Sequence, residues 1–391
     1  MENQLTQIHK IRYNQHNPVN AYKPLLQGVL IMTATHAFIR QYLPGYQPYK
    51  TYWNYEDGCV LKGCIDLYAA TGDPFYRSFV LDYLYRYVAA DGTIANYELN
   101  KYNIDSINCG KALFFALDET GDERFRKAIE FHMQRLREHP RCGCGNFWHK
   151  NIYPHQIWLD GLYMAQPFYM AYETRFHKLA DVADITRQFA NVRKTLFNEE
   201  KQLYYHACDT ARVQPWADPE TGCSRNFWLR SMGWYLMSLI DCIDCCSEML
   251  YEHYRLLIDL FREAVRGILR WQDRETGLFW QVIDRGDHPG NYLETSGSAM
   301  VAYALIKGVR LGVLNEEKYL PIGRRVYESL VQHKLIPGDG GLHLCDICAV
   351  AGLSDKRDGS VAYYLSEPRV CDDSKGVGPF MMACAEYLRT R

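Results

Sequence analysis

Asp160 lies at the end of the stretch Trp148-His149-Lys150-Asn151-Ile152-Tyr153-Pro154-His155-Gln156-Ile157-Trp158-Leu159-Asp160, one carboxylate among tryptophans, tyrosines and histidines. A carboxyl group walled by indole and aliphatic surface loses hydration. This disfavours its charged form and raises its pKa toward a value at which it donates a proton near neutrality. Aromatic rings such as Trp158, with the polar ring of His149, are also what a sugar needs, because its C–H face stacks on them while its hydroxyl rim takes hydrogen bonds. The combination predicts carbohydrate chemistry with Asp160 as an acid.

A second carboxylate, Asp105, opens a helix in Tyr102-Asn103-Ile104-Asp105-Ser106-Ile107-Asn108. An aspartate there often only caps the backbone, so two readings stand for it, cap and catalyst. His206 follows Tyr204-Tyr205 in an aromatic run that reads as strand or loop. In Phe227-Trp228-Leu229-Arg230-Ser231-Met232-Gly233-Trp234, Arg230 and Trp234 are four residues apart and share a helix face. Such a pair holds a sugar carboxylate by a bidentate bond with the indole against the ring, or else forms a cation–π contact in the core; spacing does not choose. Glu294-Thr295-Ser296-Gly297-Ser298 reads as a helix cap with small residues for close packing, and equally as a source of hydroxyl donors from Thr295 and Ser296. No Gly-rich phosphate loop, Gly-x-Ser-x-Gly elbow or His-Glu-x-x-His pattern is present, which removes several enzyme classes.

The elements that must position these groups are helix hairpins. An apolar helix ends at Thr71-Gly72-Asp73 and a second begins with an aromatic at Phe75; the unit recurs at Thr120-Gly121-Asp122 with Phe125. Glycine ends a helix in the left-handed conformation and the aspartate after it caps the next. Weaker copies turn at Thr174-Arg175-Phe176, near Cys246-Ser247 and at Leu311-Gly312-Val313. Five or six hairpins, none able to bury its own apolar face, call for a closed ring or an open superhelix. Loops rich in Trp, His and Gly over residues 141–153, 208–225 and 338–371 are expected at one end, with the function on them. The predicted fold is therefore all-α, an (α/α)6 barrel in one domain over residues 1–391. Residues 1–20 are read as a loosely packed N-terminal segment, and the open solenoid is the alternative.

Composition restricts the partners. A chain of 391 residues with no Pro/Ser/Gly-rich linker gives no domain seam, and 48% hydrophobic residues suffice for a large core. A net charge of −2 argues against nucleic acid and membrane surfaces. The first ten residues lack the apolar core of a signal peptide, so a cytoplasmic chain is expected and its 14 cysteines are read as reduced. The pairs Cys142/Cys144 and Cys345/Cys348 are far apart and lack histidine at standard spacing, which disfavours zinc. Thirty tyrosines are read mostly as packing residues.

Taken together, Trp53-Asn54-Tyr55-Glu56-Asp57-Gly58, residues 102–110, residues 148–168, Tyr205-His206-Ala207, residues 228–235, residues 292–300 and Asp373-Ser374-Lys375-Gly376-Val377-Gly378-Pro379-Phe380 resemble glycoside hydrolase family 105, the unsaturated rhamnogalacturonyl hydrolases, and more distantly the unsaturated glucuronyl hydrolases. The resemblance implies an (α/α)6 barrel and removal of a 4,5-unsaturated uronic acid from lyase-generated pectin fragments, without metal or organic cofactor. It makes Asp160 the general acid/base and Asp105 its supporting carboxylate. It places His206, Arg230 and Trp234 around the sugar, with Trp158, Trp228, His149, Trp53, Thr295 and Ser296 as further substrate contacts. The competing expectations are a classical inverting glycosidase using Asp160 and Asp105 on saturated sugars, and a helical-repeat carbohydrate-binding protein without chemistry.

Overall fold

The computed structural model describes residues 23–390, so the expectation for residues 1–20 lies outside the described residues. The turns read from sequence are where the chain reverses. Helix α1 spans Lys23–Tyr42, α2 Tyr55–Thr71 and α3 Pro74–Tyr87. Between the last two, Gly72 takes φ 70° and Asp73 accepts from the Phe75 N–H at 3.0 Å. A short α4, Asp105–Asn108, precedes α5, Lys111–Thr120, and α6, Glu123–Arg137; here Gly121 takes φ 65° and Asp122 caps Arg124. Then come α7 (Leu159–Phe176), α8 (Val182–Leu196), α9 (Leu229–Cys245) and α10 (Tyr251–Leu269). Next are α11 (Thr295–Arg310), α12 (Glu316–His333, capped by Asn315), the short α13 (Val361–Ser366) and α14 (Ser374–Arg389).

Burial separates two layers. Helix α11 buries every residue from Thr295 to Gly308, whereas α10 buries only a stripe including Leu257, Phe261, Ala264, Val265 and Ile268. A helix apolar all round is enclosed, and one with a stripe faces solvent on the other side. The enclosed helices α2, α5, α7, α9, α11 and α14 pack each on the next, and α14 returns to pack against α2, which closes the ring. The partners α3, α6, α8, α10 and α12 cover it from outside. Helix α1 completes the outer layer beside α14, where Phe38 meets Phe380 edge-on at 6.0 Å. Closure excludes the open solenoid: the fold is an (α/α)6 barrel, and the sixth hairpin joins the two ends of the described chain. Where α14 meets α2, a Cβ on Gly378 would lie 2.6 Å from the Cys59 backbone, so the two helices approach as closely as only glycine permits.

All six inner helices begin at the same end, and each is preceded by a long connection. These connections carry eight short strands in four antiparallel pairs among the described residues: β1 (Gln156–Trp158) with β4 (Ala207–Asp209), β2 (Phe197–Asn198) with β3 (Leu203–Tyr204), β5 (Leu335–Gly338) with β6 (Gly341–Leu344), and β7 (Ile347–Cys348) with β8 (Arg369–Val370). The loop end expected from sequence is thus built from the segments named there. One expectation fails: Cys345 and Cys371 form a disulfide, so not all cysteines are free thiols, and the Cys345/Cys348 pair has no thiol pair to offer a metal. The cause is tertiary, since the pairing of β7 with β8 brings together two cysteines 26 positions apart in the sequence. No described helix is long and apolar enough to cross a membrane.

Candidate functional site

The first turn of nearly every inner helix contributes a charged side chain at the loop end of the barrel. Glu56, Asp160, Arg230 and Lys375 are each the second residue of their helix, Asp105 opens α4, and Glu294 is the N-cap of α11. A helix start carries unsatisfied N–H groups and partial positive charge, so convergent starts favour an anionic ligand.

Asp160 does not cap its helix. Trp158 is the N-cap residue, and the Asp160 side chain keeps 13% exposure with Oδ2 3.4 Å from Nε2 of His206. That His206 is within reach follows from the ladder of β1 and β4, in which Trp158 faces Ala207 and the Leu159 N–H donates to the His206 carbonyl at 3.1 Å. The His206 ring is fully buried, edge-on to Trp158 at 5.0 Å and 4.7 Å from Trp228. Trp158 stacks on His149 at 4.6 Å, and its indole N–H donates to Gln156 at 3.0 Å. His149 fits against α7 because Gly161 lacks a Cβ, which would sit 3.3 Å from Nδ1. Burial holds the imidazole of His149 down at about 4, against the pull of Asp105, so it is neutral.

Asp105 does not cap either. It is buried, with Lys150 Nζ at 2.7 Å and His149 Nε2 at 3.8 Å. Burial works to raise its pKa, but the Lys150 ammonium outweighs it, and Asp105 is held below the usual carboxylate range. It is a fixed negative charge.

Arg230 is 1% exposed, and one guanidinium nitrogen donates to the Cys348 carbonyl. Its Nε and Nη1 are buried with no hydrogen-bond partner among the described residues. The core pairing with Trp234 offered by spacing is absent. The guanidinium lies over Trp228 at 5.1 Å instead, while Trp234, 1% exposed, stacks on Tyr163 at 4.9 Å and meets Tyr55 edge-on. The long arginine side chain extends toward the helix start, whereas Trp234, one turn on, turns into the packing between α7 and α9.

Trp53 is also packed away from this group. It is buried among Tyr83, Tyr87 and His132, and its indole N–H donates to the Ser106 carbonyl at 3.0 Å, steadying α4 from behind. The cap reading holds for α11. Glu294 accepts from Ser296 N–H, Gly297 N–H and the Ser296 hydroxyl, and the Thr295 hydroxyl donates to the Cys345 carbonyl at 2.6 Å. Both hydroxyl protons are therefore spent within the protein, and neither hydroxyl is left as a donor to a ligand in this arrangement. Glu294 also accepts the Cys348 N–H at 3.0 Å, so the same cap fastens the strand that meets Arg230.

Sequence reasoning did not single out Glu56, Lys50, Asp373, Lys375 or Tyr364. Glu56 pairs with Lys50 at 2.9 Å, with burial raising its carboxyl against that pairing. Lys375 contacts Asp373 at 2.9 Å and Tyr49 Oη at 2.6 Å, and burial, with the neighbouring Arg230 charge, lowers its ammonium. For Glu56 and Lys375 the signal was present as the position that Asp160 and Arg230 occupy, second in an inner helix, once the helix starts are aligned.

Residues 30–391 match the model of Glycosyl Hydrolase Family 88. The solved structure of a family 105 glycoside hydrolase from Clostridium acetobutylicum is similar to this chain with a TM-score of 0.86 and 41% identity, covering 92% of this chain and 99% of that one. Protein Atu3128 of Agrobacterium fabrum is 39% identical over 238 residues, 58% of this chain and 98% of its own length. The unsaturated rhamnogalacturonyl hydrolase YesR of Bacillus subtilis is 26% identical over 265 residues, 66% of this chain and 72% of its own. With the closed double ring and the acids at its loop end, these likenesses make the chain a glycoside-hydrolysing enzyme that belongs to glycoside hydrolase family 105, within the group that the family 88 model describes.

Proposed function

We propose that this enzyme removes a 4,5-unsaturated uronic acid from the non-reducing end of lyase-generated oligosaccharides, with rhamnose of rhamnogalacturonan as the neighbouring sugar. The observation that carries the reading is Arg230, a buried guanidinium whose Nε and Nη1 have no hydrogen-bond partner among the described residues, a positive charge with donors left for an anionic sugar group. The name of the Bacillus subtilis relative supports the rhamnogalacturonan assignment.

The substrate is an enol ether, which makes one acid sufficient. Asp160 in its protonated form gives its proton to C4 of the double bond, leaving an oxocarbenium-like centre at C5. The Asp160 carboxylate then takes a proton from water as the oxygen adds to C5. The resulting hemiketal opens, and the glycosidic bond breaks without displacement at the anomeric carbon. Asp105, ion-paired with Lys150, contributes a fixed charge beside the developing cation. A classical inverting enzyme needs its second carboxylate free to activate water, which fits poorly with that ion pair.

The test follows the ultraviolet absorbance of the conjugated double bond during incubation with unsaturated rhamnogalacturonan disaccharide. The absorbance should fall, and Asp160→Asn should lower kcat roughly 1,000-fold while still binding the sugar. Cleavage of saturated disaccharides with no loss of that absorbance would establish the inverting reading. Ligand binding without turnover by the native chain would establish the binding-protein reading.

A further inference from the structure

We propose that Tyr364 is a positioning residue for the reaction: its hydroxyl donates to Nδ1 of His206 and so fixes the proton of that imidazole on Nε2, facing Asp160. The inference rests on the reading of Asp160 as the acid. Tyr364 belongs to α13, 158 residues from His206 in sequence, yet its hydroxyl lies 2.8 Å from Nδ1. The ring is fully buried and lies parallel to Trp228, 18° between planes at 6.1 Å. Its carbonyl accepts from Gln281 Nε2 at 3.2 Å, and Gln281 Oε1 accepts the Trp228 indole N–H at 3.2 Å. Tyr364, Gln281 and the pair Trp228 and His206 are thus held in one network from three connections.

The direction of the bond follows from satisfaction. Burial keeps the phenol protonated. Among the described residues the hydroxyl has Nδ1 of His206 as its hydrogen-bond partner, so donating to it is the arrangement that leaves no buried O–H unpaired. The reverse arrangement, with the proton on Nδ1, strands that O–H, and unsatisfied buried donors are rare in folded proteins. With Nδ1 accepting, Nε2 carries the hydrogen. Nε2 of His206 and Oδ2 of Asp160 face each other at 3.4 Å without a formed hydrogen bond, and among the described residues neither buried atom has a hydrogen-bond partner. The N–H therefore meets the carboxylate that Asp160 becomes after protonating the substrate, and it leaves Oδ1 for the exchange with carbon and water. In effect Tyr364 does for His206 what a carboxylate or carbonyl partner does for a metal-binding histidine, with the opposite tautomer selected.

The experiment uses the full chain with 15N-labelled histidine, the His206 signals being assigned by their absence in His206→Gln. In the native protein His206 should show the Nε2-protonated pattern. In Tyr364→Phe the pattern should move toward the Nδ1 form or a mixture, kcat on unsaturated disaccharide should fall roughly tenfold, KM should stay within about twofold, and the melting temperature should hold. A native His206 protonated on Nδ1 overturns the inference, as does a Tyr364→Phe enzyme with unchanged kcat. A loss of kcat that accompanies lower thermal stability while the tautomer stays put overturns it too, since it marks a purely structural role. The native spectrum needs neither a folded variant nor turnover. If unsaturated sugars are not substrates, the proposed reaction falls and the tautomer still decides the hydrogen bond.

Discussion

At the scale of single residues, the arrangement around Arg230 explains why an arginine and not a lysine stands at this helix start. Its guanidinium already donates to the Cys348 carbonyl and presents Nε and Nη1 without partners. A lysine ammonium is a point charge that cannot keep the carbonyl and also place donors where Nε and Nη1 stand. Arg230→Lys should therefore raise KM by roughly 10- to 100-fold, the weight of one or two hydrogen bonds to a charged group, with a smaller change in kcat. Steady-state kinetics on unsaturated disaccharide checks this, and an unaltered KM would remove Arg230 from carboxylate binding. Residue type and setting marked Asp160 as a candidate acid and left Asp105 between cap and catalyst. Their difference was not legible there, because Lys150 beside Asp105 and His206 beside Asp160 are contacts between connections.

At the scale of elements, the segment from Cys345 to Cys371 supplies the Cys348 backbone to Arg230 and Glu294 and the Tyr364 hydroxyl to His206. A disulfide across a loop of this length contributes about 3 kcal/mol by limiting the unfolded chain. Cys371→Ser should lower the unfolding free energy by about that amount and expose residues 345–371 to limited proteolysis. It should also lower kcat/KM, because both contacts to the site hang from this segment. Equal melting curves and cleavage patterns for the two proteins would mean that the pairing of β7 with β8 holds the segment unaided. The hairpins were readable because glycine and aspartate act locally: Gly72 with Asp73 and Gly121 with Asp122 turn the chain whatever surrounds them. The inner position of a helix was readable only in part, since α7 carries Tyr163, Gln166, Pro167 and Glu173 among its buried residues and does not look uniformly apolar.

For the whole molecule, three buried imidazoles set an acid limit. His132, His139 and His149 are each pushed down to about 4 by burial. The unfolded chain protonates them near pH 6.5, while the folded chain resists until about pH 4. Between these values the unfolded state binds more protons, so stability falls as pH drops across that window, by up to about 3 kcal/mol for each histidine. Asp241, buried in the barrel against burial's tendency to raise it, is held at about 2 chiefly by Lys307, 2.8 Å away. Its contribution is present above the ordinary aspartate range and is lost as pH falls from about 4 toward 2. Urea unfolding at pH 7, 5.5 and 4.5 should show a steep decline beginning below 6.5. A flat profile over that range would mean that the imidazoles titrate normally in the folded protein.

The sequence by itself determined the hairpins and the loop-bearing end, because caps, turns and helical periodicity depend on neighbours within a few residues. Only the tertiary structure decided that the ring closes, since α14 must meet α2 across most of the chain. It likewise decided that Cys345 finds Cys371, that Trp53 and Trp234 turn into the packing, and that Tyr364 reaches His206. Each of these depends on which surfaces meet when six hairpins bury their faces together, a quantity that no local stretch of the chain contains.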